Sequence, residues 1–101
     1  MKWFSKSSQF LRVANIEFTD EGAFASGLAN LKEKAPDILG YAGARIKIVK
    51  TGPAKGILIA EMKNKSALES YISMTADLFE EQASKFGMTL EPQDGEVVWT
   101  S

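Results

Sequence analysis

Hydrophobic and polar positions along the chain change period several times, and each change marks an element. From Gln9 to Phe18 the period is two: Phe10, Ala14, Ile16 and Phe18 share one parity, broken by Arg12, while Leu11, Val13, Asn15 and Glu17 share the other. This predicts a first strand with apolar groups on both faces. Thr19 or Asp20 can cap a helix, with Glu21 in its first turn. Phe24, Leu28 and Leu31 follow at helical spacing, with Gly27 and Ala35 on the same stripe, and Ala35–Pro36 predicts the end of this helix. Gly22 and Gly27 weaken it by propensity, so packing must hold it. Alternation returns over Tyr41–Lys50, where Ala42, Ala44, Ile46 and Ile48 form one apolar face. Residues 51–56 read as a turn, and Ile57–Met62 as a third strand, hairpinned with the second. Asn64 or Ser66 caps a second helix on which Leu68, Tyr71 or Ile72, Thr75, Leu78 or Phe79, Gln82 and Phe86 trace one face, with Gly87 as its C′ residue. Residues 91–95 read as a loop and Glu96–Ser101 as a short last strand.

The predicted order is β-α-β-β-α-β, the ferredoxin-like arrangement of a four-stranded antiparallel sheet with two helices on one face. With 101 residues, a single domain spanning 1–101 is expected. Two helices cover one sheet face only. The other face carries Leu11, Val13, Ile57 and Ile59 or their opposite-parity neighbours, and an apolar face of that kind calls for a partner. A homodimer packed sheet to sheet about a two-fold axis is the economical solution, enclosing a space that can hold a small, largely apolar molecule.

Composition sharpens the chemistry. The chain has neither cysteine nor histidine, which removes disulfides, thiolate nucleophiles, Cys/His zinc sites and every His-dependent triad within it. Twelve Lys+Arg against thirteen Asp+Glu give a net charge of −1, with no electrostatic reason to expect nucleic acid as a partner. The opening residues 1–8 hold Lys2, Trp3, Phe4 and Lys6 and lack the run of about 7–15 apolar residues of a secretory signal. No stretch reaches the roughly 18 apolar residues of a membrane helix, so no membrane partner and a cytoplasmic location are expected. Glu80-Glu81 and Glu91 with Asp94 lack any metal-loop spacing, and neither a metal nor another cofactor is expected.

The remaining acids and bases are carboxylates, lysines and tyrosines. Asn15, Glu17 and Glu61 lie on strands among apolar neighbours: Asn15 is a candidate donor to a developing oxyanion, and Glu17 or Glu61 a candidate base. Arg45, Tyr71, Trp99 and Met62 are candidate substrate-binding residues, the aromatic pair because each has a polar tip in need of a partner. The plainer reading of Glu17, Arg45, Lys47 and Glu61 is cross-strand pairing or strand ends in water.

Val13-Ala14-Asn15-Ile16, residues 35–41 and residues 59–68 resemble, in that order, the first strand, the helix-to-strand passage and the strand-to-helix passage of the dimeric α+β barrel superfamily, in particular the antibiotic-biosynthesis-monooxygenase-like proteins. The resemblance implies a homodimer and, for an enzyme, a cofactor-independent oxygenation of an aromatic substrate, with Asn15 polarising the substrate oxygen. The haem-degrading branch uses an asparagine, a tryptophan and a histidine. Asn15 matches the first, Met62 stands at the second, and the third has no counterpart in this chain. A carboxylate-dependent isomerase or dehydratase is a further reading, as is a non-catalytic ligand-binding or dimerising module.

Overall fold

The computed structural model describes residues 9–101; residues 1–8, with their expected lack of a signal, lie outside the described part. Strand β1 (Phe10–Glu17) leads into helix α1 (Glu21–Ala42), then β2 (Ala44–Gly52), β3 (Lys55–Met62), helix α2 (Lys65–Phe86) and β4 (Thr89–Glu96). The four strands form one antiparallel sheet in the order β2-β3-β1-β4. This is the expected ferredoxin-like β-α-β-β-α-β arrangement, with the hairpin between strands two and three tightened onto Pro53 and Ala54.

One sheet face meets both helices. Ala14, Ile16, Ala44, Leu58, Ala60 and Met62 point to that side and are buried against Phe24, Leu68 and Tyr71. Alanines at the sheet centre keep this surface shallow, so the aromatic ring of Tyr71 lies close over it. A second apolar cluster, Leu31, Ala35 and Leu78, closes the seam between the helices. Polar contacts pin the same seam: Gln82 Nε2 donates to the Gly27 carbonyl at 3.2 Å, and Lys34 Nζ reaches Glu81 at 2.8 Å. Lys34 and Asn30, followed by Lys85, hold the Glu81 carboxyl down to a pKa of about 2.

The end of the first helix and the last strand differ most from those read in the sequence. Helix α1 does not stop at Pro36 but runs to Ala42. Its N-cap is Asp20, whose Oδ1 accepts from the Ala23 N–H at 2.7 Å, and its terminus is Gly43 with φ +70°. Proline lacks the N–H that would bond the Lys32 carbonyl, a local penalty. Ile38 and Leu39, packed on the second cluster, offset it by extending the buried stripe one more turn. Tyr41 and Ala42 are therefore helical, and β2 begins at Ala44. The last strand also moves: it is Thr89–Glu96 rather than Glu96–Ser101. It is an edge strand, where Pro92 can stand opposite Ala14 without removing a central ladder bond. Leu90 is its main apolar anchor. Val97 continues the pairing by donating its N–H to the Gln9 carbonyl at 2.8 Å.

Helix α2 follows its expectation. Asn64 is the N-cap, accepting from the Ala67 N–H at 2.8 Å, and Gly87 ends the helix in the left-handed conformation at φ +65°. Among the described residues, no helix is long and apolar enough to cross a membrane.

Candidate functional site

The antiparallel register maps the open face of the sheet. Running from β2 to β4, one row is Arg45, Glu61, Leu11 and Gly95, the next is Lys47, Ile59, Val13 and Gln93, and the third is Val49, Ile57, Asn15 and Glu91. Leu11, Val13, Val49, Ile57 and Ile59 thus form a connected apolar patch with polar groups at its corners. Val13 is 42% and Val49 47% exposed, values high for β-branched residues in the body of a sheet.

The candidate site residues divide between the two faces. Asn15 and Glu17 stand on the open face and share a shallow concavity of about 270 Å³ with Thr51, Lys55, Thr89 and Glu91. Glu61 is on the same face but at its other end. Glu17 pairs with Lys55, six positions from Glu61 along β3, which is about 20 Å at the usual strand rise. Glu17 and Glu61 cannot serve one small substrate in a single chain. Arg45 lies beside Glu61 in register on the outermost strand. Trp99 lies beyond β4, 77% exposed, on the rim of a shallow groove with Leu11 and Val13.

Met62 and Tyr71 are on the helix side of the sheet, within the core. The Tyr71 hydroxyl is buried with no hydrogen-bond partner among the described residues. Burial raises its pKa to about 12, against the opposing pull of Arg12. Its phenol therefore keeps its proton at neutral pH. Near it, Arg12 clamps Asp94: Nε to Oδ1 at 2.7 Å and Nη2 to Oδ2 at 2.9 Å. This hydrogen bonding lowers the Asp94 pKa and raises that of Arg12.

A larger and more apolar concavity lies elsewhere. Between α1 and the edge strand β2 runs a groove of about 570 Å³, a volume in the range of small-molecule sites. Leu31 and Ala35 form its helix wall, Ile46 and Ile48 its strand wall, and Leu28 and Leu39 its ends. Lys32, from α1, also lines it, as do Arg45 and Lys47 of β2, whose side chains the strand alternation turns to the opposite face of the sheet. The helical spacing of Leu28, Leu31 and Ala35 predicts a core stripe and no groove. The available signal was Lys32, a cation set between Leu28 and Pro36 at four-residue steps along that stripe.

No family model matches the chain, and no curated protein matches it in sequence. Solved structures do match its fold. A dimeric ferredoxin-like protein from an uncultured marine organism superposes with a TM-score of 0.75 at 22% identity, over 93% of this chain and 98% of that one. A protein of unknown function from Nitrosomonas europaea gives 0.74 at 13% identity, over 96% of each chain. SnoaB, a cofactor-independent oxygenase from Streptomyces nogalater, gives 0.69 at 13% identity, over 93% and 97%. The chain has the fold these proteins share, the one implied by its resemblance to the dimeric α+β barrel superfamily.

Proposed function

We propose that this chain forms a homodimer through its open sheet face and holds a small, largely apolar molecule. The observation that carries the binding reading is the groove between α1 and β2, whose walls are aliphatic on both sides. The dimer reading is supported by the patch of Leu11, Val13, Val49, Ile57 and Ile59, which the helices leave uncovered, and by the dimeric state of the marine protein with the same fold. A two-fold axis brings the same patch from both subunits together, so neither copy leaves it in water.

Oxygenation of an aromatic substrate without a cofactor is the second reading. Asn15 and Glu17 favour it, because they share one concavity that a second sheet would close from above. There the Asn15 amide would donate to a developing oxyanion and Glu17 would accept a proton. Glu61 stands outside this pair. The fold in common with SnoaB does not by itself carry that chemistry across.

Methyl-resolved NMR with decan-1-ol as an apolar probe tests the binding reading. The expected result is saturable shifts confined to Leu28, Leu31, Leu39, Ile46 and Ile48. Saturation without shifts in these residues would overturn it. Oxygen uptake with an anthrone as substrate tests the second reading: turnover lost in Asn15→Ala and Glu17→Gln supports it, and no turnover in the parent chain removes it.

A further inference from the structure

The two edge strands of the sheet carry opposite charge. β2 holds Arg45, Lys47 and Lys50 and no carboxylate, while β4 holds Glu91, Asp94 and Glu96 and no cation. Asp94 is matched within the chain by Arg12, and Lys50 by Glu21. Arg45 has Glu61 beside it in register. Lys47 stands beside Ile59 and Glu91 beside Asn15, and among the described residues neither takes part in a salt bridge. Both belong to the open face, at its opposite edges. They are three strand spacings and one row apart, about 16 Å, too far for an ion pair within one chain.

Two open faces can be laid together in aligned fashion about a two-fold axis in two ways. With the axis across the strands, β2 lies over the partner's β2 and β4 over the partner's β4, so like charge meets like. With the axis along the strands, each β2 lies over the partner's β4 and the rows stay level. Ile59 then faces the partner's Val13, and Lys47 faces the partner's Gln93, one row from the partner's Glu91. Juxtaposed like charges are costly and opposite ones fix register, which favours the second arrangement. Resting on the homodimer reading above, we infer that the axis runs along the strands and that each Asn15 site is completed by the partner's Lys47. Asn15 and Glu91 line both the concavity that holds Glu17 and an adjoining one of about 300 Å³ with Val13 and Gln93 on its floor. Packed sheets stand about 10 Å apart, a gap that a lysine from above and a glutamate from below can span together. The partner's Lys47 pairs there with Glu91 and shares the enclosed space with the Asn15 amide. The symmetry gives two such sites per dimer, each built from both chains.

The chain has no cysteine, so introduced thiols report on their own positions alone. Lys47→Cys/Gln93→Cys treated with a short bismaleimide should give a covalent species of twice the chain mass on a denaturing gel. Neither single variant should, because like positions then lie at opposite edges of the dimer. Lys47→Glu and Glu91→Lys should each weaken self-association at least about tenfold, and the two together should restore it to within about threefold of the parent. The distance between these positions in one chain excludes a rescue from within it. A chain that sediments as a dimer yet cross-links through Lys47→Cys alone, or fails to cross-link as the double variant, would overturn the inference and leave the homodimer reading standing. So would charge reversals whose effects add instead of cancelling. A parent chain that is monomeric would remove the inference together with the reading beneath it.

Discussion

Arg12 and Asp94 meet across β1 and β4 in a two-pronged ion pair, on the same side of the sheet as the core residues Ala14 and Ile16. The Arg12 side chain is 14% exposed. It fixes the polar edge strand β4 to its neighbour β1. Asp94→Asn would leave the guanidinium without its counter-charge and should cost about 2 kcal/mol of stability. Chemical denaturation at neutral pH checks this. Because the Asp94 pKa is lowered in the fold, the pair's contribution is complete above the ordinary carboxylate range. It disappears as pH falls through that lowered value, so parent and variant should converge in acid.

Gly27 is a packing requirement rather than a weakness in α1. A Cβ there would come 2.6 Å from the Phe18 ring and 2.9 Å from Gln82 Oε1, the amide whose nitrogen binds the Gly27 carbonyl. Gly27→Ala should therefore destabilise by about 1–3 kcal/mol through overpacking. Gly40 lies in the same helix with open space where its Cβ would be. Gly40→Ala should instead stabilise by about 0.5–1 kcal/mol. Thermal denaturation of the two variants should move in opposite directions.

Tyr71 gives the core a spectroscopic reporter. The chain has two tyrosines, so Tyr41→Phe isolates it. Absorbance of tyrosinate should then rise near pH 12 while the protein stays folded. The sign follows from a folded pKa above the ordinary value of about 10. Stability from this group is complete below that value and falls as pH rises towards 12. Ionisation at the ordinary value in the folded chain would contradict the burial of the hydroxyl.

Most of the fold was legible where two local signals agreed. The second helix has both caps and a long apolar stripe, and β1 and β3 have clear alternation. Pro36 is a strong local signal for the end of the first helix, while the packing of Ile38 and Leu39 that overrides it is tertiary. Thr89–Glu96 is polar and contains proline, so its own pattern does not announce a strand, and its pairing with β1 is visible only in the register. At the candidate site, residue types were readable but faces were not. Met62 and Tyr71 belong to the helix side, Glu17 and Glu61 to opposite ends of the open face, and the groove arises from the spacing between α1 and β2. A sequence period gives the side of an element and not its distance from a neighbour.

The open face makes a prediction about surface substitution that runs against usual expectation. Val13 is 42% exposed, so Val13→Asp should leave the fold of a lone chain within about 0.5 kcal/mol of its stability. In a sheet-to-sheet dimer the same change buries two unpaired carboxylates near the axis and should abolish association. Circular dichroism should report an unchanged fold while association is lost.

Sedimentation equilibrium of the parent chain at micromolar concentration tests the central claim most directly. The account predicts twice the 11.1 kDa chain mass, returning to 11.1 kDa in Val13→Asp. A parent chain that sediments at 11.1 kDa throughout would contradict it.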